Sequence, residues 1–443
     1  MAAAFARPGV LGGSLKALIK LPVASVIVAL AILLITEAAP LAARAAPDDT
    51  LVLVGAKIYP SPAAEAIPNG IVVVRNGKIA VVGKSEDVTV PHGAKVLNCA
   101  GMVVMAGFQN SHVHFMEPKW RNAAVQPAPR LSAQLVTMFT IYGFTTVVDT
   151  GSVFENTNKL RTRIEAGEVT GPRIITAVAT LFPPDGLPIY LREFRKEVPS
   201  WVPDEPATPE AAVSSVRRNV GASQDIVKLF TGSFLTYENI KPMPLDVARA
   251  AAAEAHDRGR LVFAHPSNIE GVQIALDAKV DVLAHTASAS QAWGADLVAA
   301  VVKSNMALIP TLKLWKFVTK DAPDPAIGEQ LLQAGVGQLR DFSQAGGQVM
   351  FGTDVGFMGD YDPTDEYVYM ARAGLTPMQI LAALTTAPAA RFKEDAHRGR
   401  VMVGMDADLV VLGSDPSEDV HNFTDVRQTI RQGKVIYPFS LPQ

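Results

Sequence analysis

Two histidines that are one residue apart, His112 and His114, are the first residues in the chain whose types and spacing suggest chemistry. They follow the apolar run Gly101–Gly107. On an extended strand, residues i and i+2 point to the same side, so the two imidazoles would project into one space. Two neutral imidazoles directed at one point supply half of a divalent-metal site. The pair therefore predicts a metal site, provided that other parts of the chain bring the remaining ligands.

The elements that position such ligands come from the central region, where short apolar runs alternate with helical patterns such as Pro244–Asp257, Ala326–Ala345 and Pro377–Ala390. Val103–Gly107 is the first predicted strand, and the later ones are Thr145–Asp149, Arg173–Ala179, Asp225–Phe230, Leu261–Ala264, Val280–Ala284, Ala307–Pro310 and Gln348–Gly352. Eight continuous apolar strands that alternate with helices predict an α/β fold, a (β/α)8 TIM-like barrel. A doubly wound open sheet is the alternative, which is weakened because no Gly-x-Gly-x-x-Gly follows an early strand.

Ionisable residues stand at the carboxyl ends of five of these runs, which in a barrel meet at one mouth. They are His112 and His114 after strand one, Lys228 in strand four, His265 after strand five, His285 after strand six and Asp354 after strand eight. Each alone has an ordinary explanation: a buried ion pair, a hydrogen-bonded histidine or a helix cap. Together, they predict a metal site at the mouth.

Both ends of the chain are rich in predicted strands. Leu51–Val54 and the hairpin around Asn76-Gly77 lie near the start, and Arg400–Leu412 and Thr424–Tyr437 lie near the end. The two ends predict a composite β-sandwich of residues 50–104 and 398–440, with a barrel of residues 105–397 inserted between its halves.

The six residues in this order resemble the amidohydrolase superfamily, and their spacing is closest to its imidazolonepropionase-like branch. That branch includes prolidase-like metal-dependent dipeptidases and hydrolases of N-acyl amino acids. The resemblance covers nearly everything after Asp49.

The resemblance implies a ligand set for two divalent ions. His112, His114 and Asp354 would hold the buried ion, and His265 and His285 the second. Lys228, carbamylated by carbon dioxide, and a hydroxide would bridge them. Asp354 would act as general base and then general acid, with His285 as a second catalytic residue. Zinc suits these ligands best, and manganese and cobalt are alternatives.

The loop after strand three departs from the branch, because many prolidase-like members carry Gly-Gly-His there and residues 180–190 contain no histidine. We expect a hydrolase of C–N bonds whose substrate is a dipeptide or N-acyl amino acid with an apolar part. One alternative is a cyclic-amide hydrolase or deaminase that uses one metal ion, with Lys228 uncarbamylated. The other is a catalytically silent, exported binding protein.

Composition limits the partners. The net charge of −3 and the absence of a basic run argue against nucleic acid, which leaves a small-molecule substrate as the expected partner. The single cysteine, Cys99, excludes an intrachain disulfide. The composition is compatible with a homo-oligomer.

The N-terminus has the pattern of a secretory signal. Arg7, Lys16 and Lys20 precede the apolar stretch Leu21–Ile35, and the small residues of Ala38–Ala46 follow. Residues 1–46 are therefore expected to direct export to the periplasm or the medium. A membrane anchor formed by residues 16–36 is the alternative, and would be the only contact with a membrane. The apolar stretch is shorter than the ~20 residues that a spanning helix needs, which favours cleavage.

The signal pattern predicts a mature N-terminus near Ala46 or Pro47 when the protein is made in an exporting host. Sequencing the N-terminus of the purified protein checks this. A chain that begins at Met1 and sediments with membranes would support the anchor instead.

Overall fold

The computed structural model describes residues 50–221, 225–236, 238–287, 289 and 292–438, so the predicted signal segment lies outside the described residues. The strands are β1 Thr50–Ile58, β2 Ile67–Arg75, β3 Lys78–Lys84, β4 Lys95–Asn98, β5 Val103–Ala106, β6 Phe108–Val113, β7 Phe144–Asp149, β8 Arg173–Leu181, β9 Ile226–Phe230, β10 Gly232–Phe234, β11 Ile240–Pro242, β12 Leu261–His265, β13 Val282–Leu283, β14 Ala307–Leu308, β15 Leu409–Leu412, β16 Val426–Arg431 and β17 Lys434–Tyr437. The helices are α1 Ala128–Met138, α2 Phe154–Glu165, α3 Ile189–Glu197, α4 Pro209–Gly221, α5 Leu245–Asp257, α6 Ile269–Asp277, α7 Ala295–Lys303, α8 Lys313–Val318, α9 Ala326–Gln344, α10 Thr364–Arg372, α11 Pro377–Leu384 and α12 Thr386–Arg391. None of these helices is long and apolar enough to cross a bilayer.

Strands from both ends of the chain form one mixed sheet in the order β17-β16-β15-β5-β1-β2-β3, with β4 also paired to β1. In β1, Leu51–Val54 pairs with β2 on one side and β4 on the other, whereas Lys57–Ile58 pairs with β5. The predicted hairpin is confirmed, since Asn76 and Gly77 connect β2 and β3 with positive φ angles of 49° and 75°. The two ends of the chain therefore fold together.

The assignment of Val103–Gly107 as the first barrel strand is wrong. β5 pairs with β1 and with β15, so it belongs to the mixed sheet. The chain then passes directly into β6, which pairs with β7 as the first strand of the parallel sheet. Both strands are fully buried and only Gly107 lies between them, so no exposed loop marks where one ends and the other begins. As a consequence, His112 lies on the first barrel strand itself.

The parallel sheet has the order β6-β7-β8-β9-β12-β13-β14, and helices alternate with its strands. The predicted eighth strand is an extended segment without a regular ladder. It nevertheless bonds to both edges: the amide of Met350 donates to Leu308 in β14 at 2.9 Å, and the amide of Ser111 in β6 donates to Phe351 at 2.7 Å. These bonds close the curled sheet, so the predicted TIM-like fold is confirmed.

The same segment continues along β6 and fixes Asp354 beside the histidines. The amide of Asp354 donates to the carbonyl of His112 at 2.9 Å, and the amide of His114 donates to the carbonyl of Val355 at 2.8 Å. This segment lies so close to β6 that glycine is required on either side of Asp354, at positions 352 and 356. A Cβ at Gly352 would lie 2.8 Å from the Cβ of His112, and one at Gly356 would overlap the carbonyl oxygen of His114.

Gly356→Ala should separate this segment from β6, because Gly356 combines a φ of +95° with the overlap on His114. Left-handed strain and overpacking together should lower the free energy of unfolding by roughly 3 kcal/mol or more. Chemical denaturation and bound-metal analysis measure both consequences.

Gly359→Ala is the matched control, since Gly359 is in the same loop and a Cβ there meets nothing within 4 Å. A Gly356→Ala protein as stable and as rich in metal as this control would contradict the role given to the closing segment.

Candidate metal centre

The six ionisable residues at the strand ends all line one cavity of about 920 Å³ at the mouth of the barrel. They are His112, His114, Lys228, His265, His285 and Asp354. His114 is the most accessible of them, with 15% of its side chain exposed, whereas His112 is fully buried. The fold thus brings together every residue that the strand-end rule selected.

His112, His114 and Asp354 form the tightest part of the cluster, with one ligand atom from each lying within 4.8 Å of the others. Asp354 Oδ1 is 2.9 Å from His114 Nε2 and 3.4 Å from His112 Nε2. Both ring nitrogens of His112 are buried without a hydrogen-bond partner. These three residues form a metal-binding group.

Hydrogen bonds select the tautomers of two histidines. His114 Nδ1 donates to the carbonyl of Gly151 at 2.6 Å, because a carbonyl can only accept. The Thr311 hydroxyl donates to its own neighbour, the carbonyl of Pro310, and so accepts from His285 Nδ1 at 2.7 Å. In both rings Nε2 is therefore left with its lone pair directed at the cavity, which is the metal-binding form.

This arrangement needs a cation between His114 and Asp354. A neutral Nε2 and a carboxylate oxygen are both acceptors, and two acceptors 2.9 Å apart repel each other unless a proton or a metal ion lies between them. Burial opposes a charged His114, but the bond to Asp354 and its charge outweigh burial and raise the pKa of the ring. The raised pKa favours a proton in this position, and a metal ion that binds there has to displace it.

His265 and His285 form the adjoining half of the cluster. Their ring centroids are 4.6 Å apart, and that of His285 is 4.5 Å from that of His112. His265 Nε2 is buried without a hydrogen-bond partner, and its ring stacks on Phe230 at 4.4 Å. Burial and nearby positive charges hold the pKa values of His112, His265 and His285 well below the ordinary value, so all three are neutral ligands.

Lys228 lines the same cavity as both groups of ligands and is 2% exposed. No hydrogen bond or ion pair to its ammonium is seen among the described residues. Burial lowers the pKa of Lys228 to about 7, although the Asp354 carboxylate acts in the opposite direction. A large fraction of this lysine is therefore a neutral amine near neutral pH, which is the form that reacts with carbon dioxide.

Asp149 is a functional residue that the strand-based reasoning missed. Its carboxylate accepts from the Gly151 amide at 3.1 Å and from the Ser152 hydroxyl at 2.7 Å, which positions the Gly151 carbonyl that orients His114. Burial raises the pKa of Asp149, against the charge of His114. Since Asp149 ends β7, the same strand-end rule could have found it.

The cavity walls are mainly aromatic and aliphatic. Nine aromatic side chains besides the histidines line the cavity: Phe182, Tyr190, Phe194, Trp201, Phe230, Phe234, Trp315, Phe317 and Phe357. Among the described residues, no arginine lines it. Apart from the six candidate ligands, the charged residues that line the cavity are Glu238, Lys320 and Asp321, and all three are exposed.

The amidohydrolase family model matches residues 103–436, which include all six candidate ligands. The chain belongs to the amidohydrolase family. The resemblance drawn from the six residues is therefore confirmed, and the protein is a metal-dependent hydrolase that acts on C–N bonds.

Solved structures of other amidohydrolases share this fold. A putative prolidase from Bifidobacterium longum is 25% identical, with a TM-score of 0.73 over 89% of this chain and 96% of its own. A Xaa-Pro dipeptidase with bound methionine is 19% identical, with a TM-score of 0.73 over 87% of this chain and 99% of its own. Ochratoxinase from A. niger is 18% identical, with a TM-score of 0.73 over 88% of this chain and 96% of its own. No curated protein sequence matches the chain.

Metal binding should release about one proton where His114 is protonated, because its pKa is raised above 6.5 and the ion must displace that proton. The apparent metal affinity should fall roughly tenfold per pH unit below this raised pKa and level off above it. Competition with a chromophoric chelator between about pH 5.5 and pH 8.5 measures the slope. An affinity for the first ion that is constant over this range would contradict the shared-cation geometry.

Proposed function

We propose that the protein hydrolyses amide bonds with the help of two divalent ions, and that its substrate carries an apolar group. The observation that carries this proposal is the pair of adjoining ligand clusters. One cluster needs a cation between His114 and Asp354, and the other offers the neutral rings of His265 and His285.

In this proposal, His112, His114 and Asp354 hold one ion and His265 and His285 hold the other. Lys228 would be the ligand that both ions share, as the carbamate that its neutral amine would form by adding to carbon dioxide with release of a proton. The lowered pKa of Lys228 and its position in the same cavity support this role. Zinc is the metal that best fits three or more imidazoles with carboxylates. When bound, the ions acidify water and polarise a carbonyl group.

The protein's own groups then move the protons. Asp354 accepts a proton from the attacking water as the oxygen adds to the carbonyl carbon. It returns this proton to the amide nitrogen as the C–N bond breaks, so the products are a carboxylic acid and an amine. The hydrogen bonds that His114 donates to the Gly151 carbonyl and His285 donates to the Thr311 hydroxyl hold both rings in the orientation that this chemistry needs.

The cavity lining supports an apolar substrate group. Aromatic side chains cover most of its wall, and burial of apolar surface contributes about 25 cal/mol per Å² to binding. Structural neighbours that share the fold include a Xaa-Pro dipeptidase and ochratoxinase. A dipeptide or N-acyl amino acid with an apolar side chain fits this lining, with its charged groups towards exposed Lys320 and Glu238 at the mouth.

Metal analysis and an activity assay distinguish two other functions from the proposed one. A cyclic-amide hydrolase or deaminase with a single ion would leave Lys228 uncarbamylated, and metal analysis would find one ion per chain. A silent binding protein has no need of six converging ligands. Its metal-loaded form would turn over no amide.

The direct experiment loads the purified protein with zinc and bicarbonate and assays dipeptides, N-acyl amino acids, cyclic amides and lactones. We expect hydrolysis of linear amides with an aromatic or large aliphatic group, and complete loss of turnover with a chelator. Turnover restricted to cyclic amides, or release of ammonia from an amidine-type substrate, would favour the single-ion alternative.

Asp354→Asn should retain substrate binding and much of the metal, yet lower kcat on the order of 10²-fold or more, because an amide cannot accept the proton. Turnover and metal content are measured on the same preparation. Asp395→Asn is the control, since Asp395 is exposed and lies outside the cavity. Near wild-type turnover of Asp354→Asn with both ions bound would remove Asp354 from the mechanism.

A further inference from the structure

Glu366 of α10 is a fully buried carboxylic acid that the proposed mechanism does not use. Its Oε2 accepts a hydrogen bond from the backbone amide of Lys313 at 2.8 Å. Its other oxygen, Oε1, is buried and has no hydrogen-bond partner among the described residues. A buried carboxyl group that is only half paired is costly, so its contact with Lys313 needs an explanation.

The amide that Glu366 binds belongs to the segment that orients His285. Thr311, two residues before Lys313, accepts the hydrogen bond from His285 Nδ1 at 2.7 Å. Thr311 has a φ of +45°, and a β-branched residue keeps such a conformation only where surrounding contacts impose it. The bond from Lys313 to Glu366 is such a contact, because it fixes the backbone two residues after Thr311.

A second hydrogen bond joins the same segment to the residue that follows His285. Trp315 in α8 donates from Nε1 to the Thr286 hydroxyl at 2.9 Å, and both side chains are buried. Residues 311–315 thus hold residues 285 and 286 through two hydrogen bonds. Glu366 does not line the cavity, so its effect on the site must pass through this segment.

We propose that Glu366 is a positioning residue: it holds residues 311–315 so that the Thr311 hydroxyl keeps the His285 ring in its metal-binding tautomer. Burial raises the pKa of Glu366 to about 7, although the hydrogen bond from the Lys313 amide acts in the opposite direction. The amide needs only an acceptor oxygen, which a protonated carboxyl group also offers. The expected effects on the second ion and on turnover rest on the proposed function, whereas the tautomer is a property of the metal-free protein.

Glu366→Leu and Glu366→Gln separate this role from simple packing. Leucine fills much of the same volume but cannot accept a hydrogen bond, whereas glutamine keeps the shape and one acceptor oxygen. Thr376→Val is the control for a lost helix cap outside the cavity, since the Thr376 hydroxyl accepts from the Gln379 amide at 3.3 Å at the start of α11. Glu366→Asp, which withdraws the acceptor by one methylene, replaces Glu366→Leu if the leucine variant does not fold.

The first readout is the His285 ring in metal-free protein labelled with ¹⁵N-histidine. In the wild type, its NMR signals should show a protonated Nδ1 and an unprotonated Nε2. In Glu366→Leu they should show a mixture of both neutral tautomers, because Thr311 is no longer held in place. Glu366→Gln and Thr376→Val should match the wild type.

The second readout is the affinity for each ion. Glu366→Leu should bind the ion held by His265 and His285 about 10- to 100-fold more weakly, with the affinity for the first ion changed less than about threefold. Thr311→Val removes the hydroxyl that His285 uses and tests the route. Adding Glu366→Leu to Thr311→Val should weaken the second ion by no more than a further factor of about two.

A wild-type His285 tautomer in Glu366→Leu would overturn the inference. Equal weakening of both ions would also overturn it, because Glu366 would then support the fold as a whole. Independent losses in the double variant would contradict the route through Thr311. A wild-type protein that binds only one ion would instead refute the proposed function, and the tautomer in metal-free protein would still decide the role of Glu366.

Discussion

The site depends on one backbone contact, the pairing of residues 350–355 with β6. Hydrogen bonds from Ser111, His114 and Asp354 across this contact leave little freedom to the two chains. They hold Asp354 Oδ1 2.9 Å from His114 Nε2. The other nitrogen of this ring, Nδ1, already donates to the carbonyl of Gly151. Burying two acceptors against each other costs free energy, and a cation between them offsets that cost. The closed barrel therefore creates a cation site before any metal arrives.

The same burial prepares the second half of the cluster. A buried ammonium with no hydrogen bond or ion pair among the described residues is costly, so the pKa of Lys228 falls to about 7 and the neutral amine becomes available. Burial and the positive charges of Lys228 and His114 lower the pKa values of His265 and His285, which keeps both rings neutral. Burial of Lys228 thus lowers the stability of the fold but yields the reactive amine that the proposed carbamate requires. Such a trade-off is common at functional sites.

Much of this arrangement could be predicted from the sequence, because the carboxyl ends of parallel strands must meet. That rule selected all six residues that the cavity brings together, and it would have selected Asp149. It could not separate β5 from β6, since both are buried throughout and only Gly107 lies between them. The eighth strand was placed correctly along the chain, although its hydrogen bonds are too irregular to form a ladder.

Thr311 and Tyr190 illustrate what sequence reasoning cannot reach. Thr311 has a φ of +45°, an uncommon conformation for a β-branched residue, and it orients His285 from the opposite side of the ring. Tyr190 enters the cavity from a helix that follows a Pro-rich loop. Neither residue has a distinctive spacing to the ligands, and hydroxyl side chains are too common for their type to stand out. Only the tertiary structure shows which side chains reach the site.

The central claim is that the cluster holds two divalent ions joined by a carbamate on Lys228. The most direct measurement is metal content per chain together with the ¹³C NMR spectrum of protein loaded with zinc in ¹³C-labelled bicarbonate. The account predicts two ions per chain and a protein-bound carbamate carbon in the wild type. In Lys228→Arg, which cannot form a carbamate, it predicts neither the carbon signal nor the second ion. A single ion and no carbamate signal in the wild type, or two ions retained in Lys228→Arg, would contradict it.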